Sequence, residues 1–402
     1  MSQHGPESWR AGTAIRTLRT AESVTEGHPD KLCDQIADAV LDAYLEKDPR
    51  ARVACEVAVT AGLVVLMGEI TSSGDVDLEA TARSTLRNAG YTHRDLGIGA
   101  DDCEVLVRVH TQSPEISGAI AEREDPAAVG AGDQGIMVGF ACREELPDGL
   151  PTDVELMPLP IALAHRLCQR AARVRKDSTL AYLRPDGKSQ VTIEYDGRRA
   201  IRVRGIVVSL QHAPGVPIER LRNDVREHVV GPVIPASLMD GQTAVLINPG
   251  GSWSLGGPAA DTGLTGRKLL VDTYGVPAHH GGGSFSGKDP TKVDRSGAYA
   301  ARHAAKNLVA AGLADRLQVS VAYAIGCAEP VALTADSFGT GDDAQLNALL
   351  ERHFEFRPGL LVRQLGLRQP IYHPFAAYGH FGRTDVAAPW ERLDKVDDLP
   401  RR

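Results

Sequence analysis

The chain has 402 residues, 43% of them hydrophobic and 24% charged, with a formal net charge of −8. That length exceeds one ordinary core and implies a globular protein of two or three domains. The acidic balance opposes a nucleic-acid partner, whose phosphates it would repel, yet a few local cations suffice for a nucleotide pocket.

Residues 1–12 are polar and carry no apolar h-region, so no secretory signal is evident. The longest apolar run, near 57–67, is too short to span a bilayer. Cys33, Cys55, Cys103, Cys142, Cys168 and Cys327 form no CxxC pair. That spacing fits a reducing cytoplasm and argues against a disulfide framework or a zinc site.

In chain order, residues 1–16 read as a loose leader. Pro29 suits the first turn of a helix over 29–47, where Leu32, Ile36, Val40, Leu41 and Tyr44 recur at helical spacing. Strands are expected over 52–61 and 63–71, turning at Ala61-Gly62, then a helix over 78–89 ended by Gly90. Another strand follows over 104–110. The charged, glycine-containing stretch 111–135 lacks periodicity, as functional loops and lids do. A helix is expected over 158–175 and a hairpin from 191–195 and 200–210 around Asp196-Gly197, with Asp186-Gly187-Lys188 in a turn before it. A helix over 217–230 and a short strand over 243–248 lead into a Gly/Pro-rich region that reaches Lys288. An Ala-rich helix over 291–311 and strands over 318–325 and 331–334 complete the regular elements. Hairpins and helices without steady alternation indicate an α+β fold.

The segment 281–295 is the most informative. Its glycines bare backbone N–H groups that can cradle a polyphosphate. Lys288, Lys292 and Arg295 then alternate with Asp289 and Asp294, offering cations to phosphate and carboxylates to Mg²⁺. Gly282 to Lys288 matches G-x-x-x-x-G-K, but Asp289 stands where a P-loop needs Ser or Thr. Gly130 to Gly135 matches G-x-G-x-x-G, but the acidic loop precedes it and the strand-like Ile136-Met137-Val138 follows, the reverse of a dinucleotide site. His280-Gly281-Gly282-Gly283 looks like an esterase oxyanion loop, yet no G-x-S-x-G elbow exists. Glu26-Gly27-His28-Pro29-Asp30-Lys31 places an imidazole, carboxylates and an amine at a helix N-terminus. Asp261 to Lys268 again joins glycines to a carboxylate and two cations.

In these segments, together with Gly256-Gly257-Pro258, Tyr323 to Gly326 and Ala377 to Arg383, the chain resembles the S-adenosylmethionine synthetase family over about residues 17–390. The resemblance implies three similar α+β subdomains of mixed sheet and helices. Their expected extents are a flexible leader at 1–16, an N-terminal subdomain at 17–114 and a mobile active-site loop and linker at 115–135. A central subdomain at 136–254 and a C-terminal subdomain at 255–402, carrying the triphosphate-binding loop, follow. It implies a cytoplasmic enzyme joining ATP to L-methionine, with no nucleic-acid or membrane partner. It also implies a homodimer with shared active sites, assembling into a homotetramer, that uses two Mg²⁺ per site and K⁺.

The same resemblance assigns roles. Asp30 and Asp294 hold Mg²⁺, and Glu56 holds K⁺. His28 lies by the departing C5′ oxygen, while Lys188, Arg267, Lys268 and Lys288 line the triphosphate. Asp186 binds ribose. Glu69 and Asp261 take the methionine ammonium, and Gln112 and Lys292 its carboxylate. Residues 112–122 match a loop that closes over the site. Ser252-Trp253 replaces the family's usual basic residue and Phe beneath adenine, Ser284 a usual Ala, and His279 a usual Arg. These departures sit at the nucleotide and imply altered ATP affinity or wider tolerance of analogues. The competing readings are a triphosphatase or kinase using the same cations, and an inactive homologue. Glu69, Asp261, Gln112 and Lys292 favour an amino-acid site over the first, and the intact set of charged residues opposes the second.

Overall fold

The computed structural model describes residues 16–111, 125–146 and 154–400. Its strands are β1 (Arg16–Val24), β2 (Arg52–Thr60), β3 (Leu63–Thr71), β4 (Glu104–His110), β5 (Gly135–Cys142), β6 (Leu183–Asp196), β7 (Arg199–His212), β8 (Ala244–Ile247), β9 (Gly263–Leu264), β10 (Arg316–Tyr323) and β11 (Ala332–Asp336). The principal helices are α1 (Pro29–Lys47), α2 (Leu78–Ala89), α3 (Leu159–Lys176), α4 (Ile218–Val225), α5 (Val293–Ala310), α6 (Asp343–His353) and α7 (Pro358–Gln364).

The strands form three sheets, in the orders β4-β3-β2-β9, β1-β6-β7-β8 and β11-β10-β5. One long helix backs each sheet: α1 packs on β2, α3 on β6 and β1, and α5 on β5 and β10. The α+β class and the threefold repetition of sheet plus helix follow from this arrangement. The expected turn at Ala61-Gly62 is present, with Gly62 at φ +67, and β2 and β3 pair antiparallel across it. α5 approaches β5 closely because Gly139 has no side chain; a Cβ there would lie 2.0 Å from the carbonyl carbon of Ala301.

The sheets exchange strands cyclically along the chain. β1, from the N-terminal part, pairs with β6. β5, from the middle, pairs with β10 near the C-terminus. β9, from the C-terminal part, pairs with β2. Each subdomain expected from the sequence therefore lends one strand to the next.

Several local expectations change. Arg16 is not leader but the first residue of β1, opposite Asp196. Asp186-Gly187-Lys188 is not a turn before a strand; it lies inside β6, beside an irregularity in register between Leu183 and Gly187. The Ala-rich helix begins at Val293 rather than 291, with Lys292 at its cap. The helix expected over 217–230 is regular only over Ile218–Val225 and then widens over Arg226–Val230.

Candidate active site

Helix α1 organises the site. His28 caps it by accepting the Asp30 N–H at Nδ1, 3.2 Å away, and Pro29 occupies the first turn. Asp30, Asp34, Asp38 and Asp42 then recur every fourth residue on one face of this helix. Each accepts backbone N–H bonds from the C-terminal part of the chain. Asp30 Oδ1 accepts from Leu264 at 3.0 Å, Asp34 Oδ1 from Gly266 at 2.9 Å, and Asp38 Oδ1 from Gly287 at 2.8 Å. Asp42 accepts from Tyr372 at 3.0 Å and His373 at 2.8 Å. Three of these bonds fix the loops that carry Arg267, Lys268 and Lys288.

Asp30, Asp34 and Asp38 are buried and Asp42 is half-buried, so the charges of the ladder need partners. Asp30 takes Lys268 Nζ at 2.6 Å, with Arg267 Nε 3.6 Å from its other oxygen. Burial raises the Asp30 pKa, but the Lys268 and Leu264 hydrogen bonds outweigh it and the net shift is downward. Asp34 shares fully buried Lys31 with Asp272. Asp38 binds Arg295 bidentately, both bonds at 2.7 Å, and the Arg295 guanidinium also stacks on Tyr372, 4.2 Å from the ring centre. Among the described residues Asp42 accepts only backbone N–H groups, and burial pushes its pKa up to about 7. Motif reading finds Asp30 alone of these four; the recurrence of aspartate at every fourth residue along the helix is the available signal for the rest.

Around the start of α1 lies a first group of expected residues. His28 is 2% exposed. Burial, then Lys268 and Lys188, lowers its pKa to about 3 against the opposing pull of Asp30, so the ring is neutral. Asp186 is 4% exposed. Its Oδ2 accepts the Gly257 N–H at 2.8 Å, and Oδ1 has no partner among the described residues. Burial lifts its pKa to about 6. Asp261 turns back on the same loop, its N–H donating to the Gly257 carbonyl at 3.1 Å. Ser252 and Trp253 stand at the end of β7: His212 Nε2 accepts the Trp253 N–H at 3.0 Å and lies 3.3 Å from Ser252 Oγ. Trp253 Nε1 donates to the Leu255 carbonyl at 2.7 Å, which holds the indole plane.

A second group sits on the glycine loop and the adjacent sheet. Lys288 donates to Asp294 in the first turn of α5, and Lys292 to buried Asp289. Gly283 lets the Asp294 carboxylate lie against the backbone; a Cβ there would be 2.3 Å from its Oδ1. Desolvation raises the Glu56 pKa, and Lys288 opposes it. Glu69 lies 3.3 Å from His110 across β3 and β4. Ser284 packs against Gly266 of the cationic loop, where a Cβ would sit 2.6 Å from its own. His279 is held by Gln318 through its N–H and Nδ1, both at 3.1 Å. Gln112 and the expected closing loop at 112–122 lie outside the described residues.

Among the described residues, no hydrogen bond or ion pair joins the first group (His28, Asp30, Asp186, Lys188, Arg267, Lys268) to Glu56, Lys288, Lys292 or Asp294 of the second. Glu56 and Glu69 project from the sheet face opposite α1, together with Ala58, Val65, Met67, Leu106 and Leu264. Met67 is 37% and Leu264 41% exposed, so this face is open and apolar with acidic residues upon it.

The carboxylates suit a hard divalent cation. The described residues contain no set of three or more His, Cys, Asp or Glu that would cage a metal. Mg²⁺ is commonly held by one or two carboxylates with substrate phosphates completing its shell. Asp30 and Asp294, each bound to a lysine ammonium, are carboxylates that could each contribute to such a partial site.

Family models for S-adenosylmethionine synthetase match the chain in three parts: the N-terminal domain at residues 16–114, the central domain at 128–253 and the C-terminal domain at 255–392. An S-adenosylmethionine synthase of Roseiflexus castenholzii is 54% identical over 401 residues, covering 96% of this chain and 97% of the relative. One of Desulforudis audaxviator is 55% identical over 392 residues, covering 95% and 97%. The polar ladder of α1, the cationic loops it fixes and these matches across almost all of the sequence agree: the chain belongs to the S-adenosylmethionine synthetase family.

Proposed function

We propose that this chain makes S-adenosylmethionine from ATP and L-methionine, as the names of its relatives indicate for them. The methionine sulfur attacks C5′ and expels the intact triphosphate, which is then cut to pyrophosphate and phosphate. The observation that carries this reading is a neutral, buried His28 set between Lys268 and Lys188.

A thioether has a free lone pair and no proton to lose, so the attack needs no general base. The barrier lies in the leaving group, a polyanion that gains charge as the C5′–O bond breaks. Fixed cations aimed at that charge lower the barrier most. Lys188, Arg267, Lys268 and Lys288 have that role, and the His28 ring N–H meets the departing oxygen. Mg²⁺, held by Asp30 and Asp294, would add positive charge at the phosphate oxygens, and K⁺ at Glu56 would support the glycine loop.

Asp186 Oδ1, buried and unmatched among the described residues, suits a ribose hydroxyl. Ser252, Trp253 and Ser284 border the adenine. Glu69 and Asp261 receive the methionine ammonium, and Lys292 and Gln112 its carboxylate. Holding sulfur in line with C5′ contributes several kcal/mol by itself.

That no hydrogen bond or ion pair joins the charged members of the two groups, among the described residues, supports a homodimer in which one chain's second group completes the other chain's first. The open apolar face bearing Glu56 and Glu69 is the surface such a partner would cover, and two dimers would make the homotetramer. No described helix is long and apolar enough to cross a membrane, and all six cysteines are unpaired, which supports a reducing, cytoplasmic setting.

Incubation with ATP, methionine, Mg²⁺ and K⁺, with products identified by mass, tests the reading. S-adenosylmethionine with pyrophosphate and phosphate is expected. ADP, or phosphate release independent of methionine, would refute it.

A further inference from the structure

A groove of 1020 Å³ runs between α3, residues 231–236 and the 373–385 loop, and none of the residues assigned above to the reaction lines it. Arg166, Arg170 and Arg173 enter it from α3 at spacings of four and three, which place them on one helix face. Lys176 and Arg383 extend the same basic wall.

The carboxylates nearby are already engaged. Glu26 pairs with Arg175 at 2.8 Å and Lys176 at 2.7 Å. Asp385 is gripped by Arg383 through two bonds of 2.7 and 2.8 Å. Asp177 accepts the Thr179 N–H at 2.9 Å. Arg170 is anchored through Nε to the His228 carbonyl at 2.8 Å. Neither Arg170 nor Arg173 has an ion-pair partner among the described residues. On a chain with a net charge of −8, this is a concave surface with five cations against three carboxylates. Low-dielectric walls focus such a field onto an anion.

Two further observations point to a ligand. His373 lines the groove, and its Nε2 is buried with no hydrogen-bond partner among the described residues. Pro232, Pro235 and Pro374 add apolar surface to the lining. Guanidinium groups one helical turn apart can each grip a phosphoryl group through paired N–H bonds, which a single carboxylate could not exploit. The volume reaches that of a nucleotide-sized pocket.

We propose that this groove binds a small polyphosphate anion, free or borne on a nucleoside, at a site separate from the reaction centre. The groove's own residues carry this binding, and the reaction-centre assignment enters only through the choice of background variant.

Calorimetric titration of the full chain with pyrophosphate, and separately with a non-hydrolysable imido analogue of ATP, tests the proposal. Lys288→Ala serves as the background, since it weakens anion binding at the reaction centre. Arg170→Ala/Arg173→Ala should weaken the remaining binding about tenfold or more. Loss with pyrophosphate identifies the free anion; loss with the ATP analogue alone identifies the nucleoside-borne one. Arg173→Gln, a change at one exposed side chain, provides the same test should the double variant fold poorly. Binding of both anions unchanged in these variants overturns the proposal. So does a change of oligomeric state alone, seen by sedimentation with anion binding intact, which would make the groove a contact between copies.

Discussion

The backbone N–H of Asp30 donates to Nδ1 of His28, and that single bond decides where the imidazole keeps its proton. The ring is neutral because burial and two lysines hold its pKa near 3. A neutral ring accepting at Nδ1 must carry its hydrogen on Nε2. In the role proposed for it, His28 would then offer the departing oxygen a donor that adds no charge to a pocket already crowded with cations.

Replacing His28 tests this directly. His28→Ala should lower kcat by roughly 100-fold, the cost of one preorganised donor at a developing charge. His28→Gln, whose amide N–H₂ reaches toward the position of Nε2, should retain more of the rate. Rapid-quench measurement of the chemical step distinguishes the two; equal losses would mean that the donor does not matter.

Asp186→Asn should act on nucleotide binding. It keeps the shape while removing the charged acceptor that now lacks a partner among the described residues. A hydrogen bond to a charged group contributes about 1.5–3 kcal/mol. The KM for ATP should rise by roughly ten- to a hundredfold, with the KM for methionine little changed. Steady-state kinetics with each substrate varied in turn would show it.

Asp42 gives a pH signature. Its folded pKa is raised to about 7 from 3.8, burial being the cause. Between pH 4 and 7 the folded state holds a proton that the unfolded chain has released, so this group makes stability fall as pH rises through that window. Asp42→Asn removes the effect. The Tm of the variant, measured relative to wild type at the same pH, should rise between pH 5 and pH 8; a constant difference would exclude the linkage.

Gly283→Ala should displace Asp294, because the new methyl would fall 2.3 Å from Oδ1. The Mg²⁺ concentration giving half-maximal activity should increase several-fold while the melting curve stays near wild type. Titrating activity against Mg²⁺ measures the shift.

Much of this was legible in the residues. The helix 29–47, the β2–β3 hairpin and the cationic glycine segments follow from spacing, because capping, turning and anion binding are local physics. β1 was not legible. Its Leu18 is 60% exposed, and its pairing partner β6 lies far along the chain, so no local alternation marks it. The same distance hid Asp186 inside a strand: Asp-Gly reads as a turn until β1 and β7 pair on either side. Asp34, Asp38 and Asp42 give no local sign of their role, because the backbone N–H groups they bind lie hundreds of residues away. The arrangement of site residues into two groups with no hydrogen bond or ion pair between their charged members, among the described residues, depends on tertiary geometry and leaves no trace in the sequence.

The cyclic loan of β1, β5 and β9 has an evolutionary corollary. A fragment cut at either boundary between the matched segments would lack one native strand and carry another with no mate, leaving raw edges prone to aggregation. Chimeras between homologues that swap a single segment must then satisfy foreign strand registers at two seams at once, so this architecture is inherited whole or not at all.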